Sequence, residues 1–582
     1  MGKIFEKNKI INLVCYVAIL VLFVISFQKC GINWNQDLLF LVKALVVLSI
    51  ISVISAIVVQ QHKLHIKVLD VVIFIWYIYI ITHIIIDKEI PNGRSFIVYS
   101  ALFFLYGLMR IITSSSNIKK IYVEIIFLGA ILFELSYGYY QLIISINHFN
   151  QFSIIGNFLN PGLYSVYILM GIAMAIYNMK NRIKDDVSII YKAKYGISII
   201  TIVLGFPMLL VTMSRDAIFC AIGIGLWIYR KQLKKNYLPT VIISALLIPF
   251  LIYIKYGSIL GRCFIYYISL RMFIKNWFFG AGINSFIGMY GRELRYYFAN
   301  HQDNILTNYI DSTCYVFCDP LKIMTEQGVI GLLISVIACW IIIKKLRSYS
   351  MSLTYGLSSL LIFSLFSYPF ELIPYQVILI FFASICNMVS DSQNKKINNT
   401  NRIRIYLFCI LSLIVSYSMT KYTAFRTDAQ NKLSVFGSPI EASLIKYYYQ
   451  YYPENIDNKN YLMDFANLLR QNRRYRDSNA ILRDANKISN DPMYLIMMGN
   501  NYQDMGLFNE TLRSYQQAFN TLPNRIYPLY CEMKLYEHIN DKKYLIMAAN
   551  RVVCFQPKIT SPVTEQMKSE ARKILNDLNK TK

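Results

Sequence analysis

The chain has 582 residues, of which 55% are hydrophobic and 16% charged, and its mean hydropathy is +0.40. This composition excludes an ordinary soluble enzyme and predicts many membrane-spanning helices. The formal net charge is +26, but the basic residues lie between apolar stretches. That pattern is typical of cytoplasmic loops beside anionic lipid and argues against a nucleic-acid partner.

The eleven cysteines are scattered over the chain and show neither a metal-ligand spacing nor a disulfide framework. Cys314 and Cys318 are close enough in sequence to pair if their segment lies outside the cytoplasm and the geometry allows it.

The apolar stretches predict an all-α, polytopic membrane bundle of about thirteen spans. Basic residues precede the first stretch and no small-residue cleavage site follows it, which favours an uncleaved span over a signal peptide. The predicted spans cover residues 10–27, 37–60, 66–86, 95–113, 121–146, 162–177, 195–213, 216–229, 238–254, 324–343, 352–369, 372–390 and 403–420.

Alternate loops between these spans differ in charge. One set is rich in Lys and Arg, as in residues 182–194, 230–235 and 395–404, whereas the other set is poor in both. This positive-inside pattern predicts a cytoplasmic N-terminus. It also predicts that the turn after Thr212, the segment 255–323 and everything after about residue 421 lie on the outer side.

The segment 255–323 is polar, basic and rich in aromatic residues, although it lies between two apolar spans. We interpret it as a long ordered loop that forms the roof of an active site, because such loops are uncommon and usually functional. Its candidate residues are Arg262, Arg271, Lys275, Arg292, Arg295 and His301.

Arg215 lies in LLVTMSRDAIFCAIGIG, at the outer mouth of a tight turn between two spans. A guanidinium so close to hydrocarbon is costly, which makes Arg215 a functional candidate. The alternative is an interface arginine that snorkels or pairs with Asp216. Arg262 is the second candidate, with a plain surface arginine as its alternative. Two arginines facing one cavity would suit a diphosphate, because each guanidinium can engage phosphate oxygens bidentately.

The tail, residues 429–582, is polar and helical in period. One part fits the tetratricopeptide pattern, a weaker copy precedes it by about 33 residues, and a third helical pair follows from Tyr527 to Cys554. Such repeats usually bind a partner. The alternative is a solvated helical cap that steadies the outer segment. The residues at the expected offsets are Leu495, Met498, Gly499, Tyr502, Gly506, Tyr515, Ala518 and Pro523.

Residues 1–420 resemble the O-antigen ligase and polymerase superfamily, in which some members carry a tetratricopeptide tail. Five stretches in order support the resemblance, although Trp277 stands where the family pattern has a proline. They are GNFLNPGLYSVYIL from Gly156, SRDAIFC from Ser214, GRCFIYYISLRMFIKNWFFGAGINSF from Gly261, CDPLKIMTEQGVIG from Cys318 and SYPFELIP from Ser367.

The resemblance implies a multi-pass glycosyltransferase domain (residues 1–425) in a bacterial inner membrane, with a periplasmic tail. The donor would be a glycan on undecaprenyl diphosphate, and the acceptor hydroxyl would belong to lipid A-core, another glycan or a protein. Arg215 and Arg262 would hold the diphosphate and stabilise its developing charge. No cofactor or metal is implied, and the predicted outer loops show no HxxH or DxD motif and no Cys/His cluster.

The presumed base of well-studied ligases is a histidine shortly before the Glu-x-Gly-x-x-Gly turn, where this chain has Phe317, Cys318 and Asp319. Asp319 is therefore the first candidate base. Glu326 is the second, with helix capping as its alternative, and His301 is a third without motif support. The predicted substrate-binding set is Ser214, Asn157, Asn160, Arg271, Arg292 and Arg295, where either asparagine could instead cap a helix.

Three further readings stay open. A polymerase of the same superfamily extends a glycan and has less need of an acceptor-recruiting tail. A flippase or other transporter would favour internal inverted repeats and mid-membrane binding residues, and the spans show no clear repeat. A non-catalytic scaffold would use the spans only to anchor the tail.

Overall fold

The computed structural model describes most of the chain with gaps. The described residues are 15–16, 19, 34–58, 66–87, 93–114, 119–148, 150–158, 160–182, 188–233, 256–301, 305–386, 399–435 and 442–580. Within these ranges the protein is all-helical and contains no strand.

Within the described ranges, thirteen α-helices, numbered in chain order, precede the repeat-like part of the tail. They are α1 (Trp34–Val58), α2 (Val68–Ile86), α3 (Gly93–Ser114), α4 (Lys120–Ser145), α5 (Pro161–Lys180), α6 (Ile189–Val211), α7 (Arg215–Leu233), α8 (Tyr256–Lys275), α9 (Phe286–Asn300), α10 (Asp319–Tyr349), α11 (Met351–Phe363), α12 (Ile373–Cys386) and α13 (Asn399–Val435).

Nine helices in the described part of the chain are long and apolar enough to cross a membrane, which makes this a multi-pass membrane protein. Eight of them coincide with predicted spans, and α11 and α12 are shorter apolar helices. Predicted span 238–254 lies outside the described residues, as does most of span 10–27.

The segment predicted as a long loop is largely helical. Its first helix, α8, is the one long apolar helix among these nine that no predicted span covers. The cause is a helical repeat of apolar residues that the polar composition obscures. Phe264, Ile268 and Met272 recur every four residues, and all three are buried against α9.

The bundle has two chemically different ends. At one end Glu124 of α4 forms an ion pair with Lys194 of α6 and accepts a hydrogen bond from Ser350, which caps α11. Lys180 at the end of α5 donates to the Ile228 carbonyl of α7 at the same end. The predicted basic loops leave from these helix ends, whereas Arg215 and Arg262 lie at the opposite end.

The tail forms consecutive helix pairs. Helices α15 (Lys459–Gln471), α17 (Met493–Asp504) and α19 (Tyr527–His538) begin 34 residues apart, so the pairs repeat every 34 residues. Gly499 permits a close approach between two helices of one pair, because a Cβ there would lie 2.5 Å from the Tyr515 ring. The tail helices are α14 (Ala442–Asn455), α15 (Lys459–Gln471), α16 (Tyr475–Ile488), α17 (Met493–Asp504), α18 (Phe508–Thr521), α19 (Tyr527–His538), α20 (Lys542–Cys554) and α21 (Pro562–Lys580).

Helix α10 is broken at Gly328, where φ is 66° and ψ is −165°. The loop after α8 fills the break with backbone hydrogen bonds. Ala281 N–H donates to the Thr325 carbonyl at 2.9 Å, and Val329 N–H donates to the Trp277 carbonyl at 2.9 Å. The glycine-rich loop and the Glu-x-Gly-x-x-Gly stretch therefore form one structural unit.

Replacing Gly328 with alanine should destabilise the protein. A Cβ there would lie 2.3 Å from the Phe278 carbonyl oxygen, and the positive φ adds strain of about 1–3 kcal/mol. We expect a lower thermal unfolding midpoint in detergent. Gly223→Ala on exposed α7 is the matched control, because a Cβ there meets nothing within 4 Å. Equal midpoints for both variants would contradict this account of the break.

Candidate functional site

The ends of α7 and α8 meet through an ion pair. Asp216, in the first turn of α7, accepts a hydrogen bond at 2.8 Å from Arg262 Nη1. The same nitrogen donates at 3.1 Å to the carbonyl of Phe366, in the short loop after α11. Both side chains keep about a fifth to a quarter of their surface exposed (20% and 24%). The ion pair is therefore open to a ligand from solvent.

Arg215 reaches the same place from the first residue of α7. Its guanidinium donates at 3.4 Å to Ser258 Oγ, one helical turn before Arg262 on α8. Partial burial lowers the pKa of Arg215, Asp216 raises it, and the charge of Arg262 lowers it again. Two like charges at one helix junction favour an anion between them. The structure thus brings the two predicted arginines together.

Three aromatic rings form a platform beside Arg262. Tyr315 stacks on Tyr368 with ring centroids 3.9 Å apart, and Phe317 meets Tyr368 edge-on at 5.2 Å. The Arg262 guanidinium lies 5.0 Å from the Phe317 ring centroid, within cation–π range. Phe317 has a φ of 58°, an unusual value for a bulky residue that the surrounding contacts must hold in place. We call Tyr315, Phe317 and Tyr368 the aromatic platform.

Asn160 connects the start of α5 to this platform. Its Oδ1 accepts from Leu163 N–H at 2.9 Å, so the residue caps α5. Its Nδ2 donates at 2.6 Å to the Tyr368 hydroxyl. Ser214 faces the same helix start, because a Cβ at Gly162 would lie 4.0 Å from Ser214 Oγ. Asn160 and Ser214 therefore belong to the site.

Asn157 is held one turn away from that helix start. Its Nδ2 donates at 2.7 Å to Glu134 Oε1 on α4. Gln141, two turns further along α4, accepts from Gly156 N–H at 2.8 Å. These bonds tie the turn before α5 to α4, so the described contacts favour inter-helix bonding over sugar binding for Asn157.

Asp319 and Glu326 lie on the first arm of α10. Asp319 is 6% exposed, and its Oδ2 accepts from Phe370 N–H at 3.2 Å. Glu326 is 3% exposed, and its Oε1 accepts from Phe286 N–H at 3.4 Å at the start of α9. Glu326 therefore caps the start of α9, which agrees with the helix-capping role given above as the alternative to a catalytic one. The described contacts of Asp319 are with the 364–371 loop.

That loop separates the arginines from a cavity of about 540 Å³. The cavity walls are apolar side chains of α2, α3, α10 and α12. At its polar end Lys322 forms an ion pair with Glu371. A charged side chain among apolar walls needs such a partner, because an unpaired buried charge is costly. The charged and amide side chains of the lining are Asp319, Lys322, Glu326, Gln327, Glu371 and Gln376.

The remaining candidates have their described contacts elsewhere. Arg271 lies 5.8–5.9 Å from the ring centroids of Tyr267, Tyr296 and Tyr297. Burial and the neighbouring Arg292 lower the pKa of Arg295 to about 10, and Arg295 contacts Asn486 of the tail at 3.4 Å. His301 stacks on Tyr297 and bonds its carbonyl at 2.9 Å. These contacts bind α8, α9 and the tail to one another.

Sequence reasoning missed the role of several residues. Asp216 was considered only as a partner of Arg215, yet it pairs with Arg262. Phe317 and Tyr368 give no local signal, because aromatic residues make up 15% of the chain. The Lys322–Glu371 pair spans two helices and has no sequence spacing that could reveal it.

Cys314 and Cys318 are free thiols in the structure, so the pairing considered from sequence does not occur there. Among the described residues, no three His, Cys, Asp or Glu side chains are grouped so that they could hold a metal ion. No family model and no curated protein matches this chain.

Asp216→Asn should strengthen anion binding at this site, because asparagine keeps an oxygen that can accept from Arg262 and hold the helix junction, but removes the competing negative charge. The carboxylate competes with any anion for Arg262, and a partly exposed ion pair contributes about 1 kcal/mol. We therefore expect roughly fivefold tighter binding of inorganic pyrophosphate by calorimetry in detergent. Asp504→Asn is the matched control, because Asp504 pairs with Arg470 at 2.9 Å in the tail. Weaker binding in Asp216→Asn would show that the carboxylate is not a competitor.

Proposed function

We propose that the protein transfers a glycan from undecaprenyl diphosphate to an acceptor hydroxyl on the periplasmic face of a bacterial inner membrane. The observation that carries the proposal is the meeting of Arg215 and Arg262 at one accessible helix junction. A diphosphate needs two or more well-placed cations, and arginine is suited to its oxygens. The proposed class is an O-antigen ligase-type glycosyltransferase with a tetratricopeptide-like tail.

Four of the five stretches that carry the family resemblance meet at this junction. Asp216 of the second stretch pairs with Arg262 of the third, and Asn160 of the first donates to Tyr368 of the last. Phe317, just before the fourth stretch, contacts both Arg262 and Tyr368. The fourth stretch holds Asp319 against the same 364–371 loop. Convergence of separate motifs on one site supports a shared chemical task.

In the proposed reaction the two arginines stabilise the charge that builds on the leaving diphosphate as the glycosidic bond breaks. The acceptor oxygen forms the new bond to the sugar, and its proton passes to a base. Fixed cations at the position of developing charge require no reorganisation during the reaction. The apolar cavity behind the 364–371 loop is large enough to take part of a polyprenyl chain.

The acceptor stays open within this class. A ligase acting on lipid A-core or a protein is favoured over a polymerase, because the tail supplies a surface that a chain-extending enzyme needs less. Deletion of the gene should separate the three acceptors. Loss of long chains from lipid A-core indicates the ligase, shortening to single units indicates the polymerase, and unglycosylated secreted proteins indicate a protein acceptor.

A transporter of lipid-linked glycans is the second candidate, and one observation favours it. Helix α10 is broken at Gly328 beside a cavity with a charged end, a feature common among secondary transporters. Such a protein would leave glycan on its lipid carrier and change only the side on which it accumulates. Labelling of lipid-linked glycan in sealed vesicles distinguishes movement from transfer.

Arg215→Ala and Arg262→Ala should each abolish complementation of the deletion. Removal of one electrostatic stabiliser typically costs a factor of about 10²–10³ in rate. Glycan transfer is measured in cells and with membranes supplied with donor. Arg572→Ala, on exposed α21, is the matched control at the same expression level. Unchanged glycan products in both site variants would support the scaffold reading instead.

Asp319→Asn tests the candidate base. Asparagine preserves the size of the side chain and an oxygen for Phe370 N–H, but it cannot take a proton. If Asp319 is the base, transfer should fall by a factor of about 10²–10⁴ with little change in thermal stability. Transfer close to the wild-type rate would assign Asp319 a structural role.

A further inference from the structure

The loops that connect successive helix pairs of the tail lie along one edge of the array. Asn490, Asn524 and Lys558 occupy the loops after α16, α18 and α20. Their numbers differ by 34, which equals the interval between the helix pairs. The three side chains therefore occupy equivalent positions of successive repeats.

Each of these side chains donates to a backbone carbonyl of one segment, residues 307–313. Asn490 Nδ2 donates to the Thr313 carbonyl at 2.7 Å. Asn524 Nδ2 donates to the carbonyls of Thr307 at 2.9 Å and Ile310 at 2.8 Å. Lys558 Nζ donates to the Ile310 carbonyl at 3.1 Å. The repeat thus presents a row of donors to a segment that runs from a short 3-10 helix (Ile305–Tyr309) into irregular backbone.

Close packing accompanies these hydrogen bonds. Leu522 of the tail is 2% exposed and belongs to the apolar core formed by α8 and α9. A Cβ at Gly288 of α9 would lie 1.8 Å from the Lys487 carbonyl oxygen, and one at Gly291 would lie 3.0 Å from the Asn490 side chain. The interface is therefore tightly packed, and it fixes the tail against the outer segment.

The bound segment leads directly to the aromatic platform. Thr313 Oγ1 accepts from Tyr315 N–H at 3.1 Å and donates to the Tyr315 carbonyl at 2.8 Å. Tyr315 then stacks on Tyr368, and Phe317 lies against Arg262. Asn490 is thus connected to the platform through a single intervening residue, Thr313.

We propose that Asn490, Asn524 and Lys558 are positioning residues, through which the tail orders residues 307–317 and holds the aromatic platform against Arg262. The tail then acts as a built-in part of the site, in addition to any partner that it recruits. The role of the tail in glycan transfer rests on the proposed function. The coupling between the tail and the anion site is independent of that function.

The test compares two isosteric changes in the full-length protein. Asn490→Asp removes the donor and places a carboxylate opposite the Thr313 carbonyl. Asn501→Asp is the matched control, because buried Asn501 donates to Ser478 and Asn479 within the tail. Lys558→Met is a second variant at a partly exposed position (30%), and it keeps the test valid if Asn490→Asp fails to fold.

Two readouts are measured in detergent: alkylation rates of Cys314 and Cys318 by peptide mapping, and the Kd of inorganic pyrophosphate. We expect Asn490→Asp to speed alkylation and to weaken pyrophosphate binding roughly three- to tenfold, the range expected for one lost hydrogen bond. Lys558→Met should shift both readouts in the same direction, and Asn501→Asp should leave the Kd unchanged.

Unchanged pyrophosphate affinity in both Asn490→Asp and Lys558→Met would overturn the proposal. An equal loss in Asn501→Asp would also overturn it, because general destabilisation of the tail would then explain the effect. If the wild type binds pyrophosphate with the expected dependence on Asn490 but transfers no glycan, the positioning role stands and the proposed function fails.

Discussion

The ion pair between Asp216 and Arg262 is the interaction on which the candidate site depends. An arginine at the end of an apolar helix needs a counter-charge or access to water, and here both conditions hold. The pair fixes the start of α7 against α8, so Arg215 reaches Ser258 on the same helix. Because both groups stay partly exposed, an anionic ligand can compete with Asp216 for Arg262.

Around that pair the fold combines rigid and adaptable parts. The Gly328 break lets the first arm of α10 carry Asp319, Lys322 and Glu326 beside the 364–371 loop, while the second arm packs into the bundle. The tail contacts the segment that precedes α10. The site is therefore assembled from helix ends and short connections that several distant parts of the chain hold in place.

Much of this arrangement could be predicted from the sequence. Apolar runs located eight of the nine long apolar helices. The tetratricopeptide pattern and its weaker copy about 33 residues earlier predicted the helix pairs of the tail, which the structure spaces 34 residues apart. Arg215 was identified because a guanidinium so close to hydrocarbon is costly. Arg262 was identified from its place in the basic segment 255–323 and from the family resemblance. The helical character of α8 was missed because basic and aromatic residues between its buried positions masked their spacing.

Contacts between distant segments could not be predicted. Asp216 follows Arg215 in sequence, but successive side chains on a helix point about 100° apart, so the two reach different neighbours. Tyr368 and Phe317 meet only because the 364–371 loop folds back on the start of α10. The docking of Asn490 and Asn524 depends on surface shape, which a repeat pattern does not encode. The spacing of residues along the sequence does not reveal such contacts between distant segments.

A double-mutant cycle on pyrophosphate binding tests the central claim most directly. Affinities would be measured for the wild type, Arg215→Ala, Arg262→Ala and the double variant under identical salt and detergent conditions. If both arginines hold one anion, each single change should remove most of the binding and the double change should add little more. Strictly additive losses, or binding that survives in both single variants, would contradict a shared site.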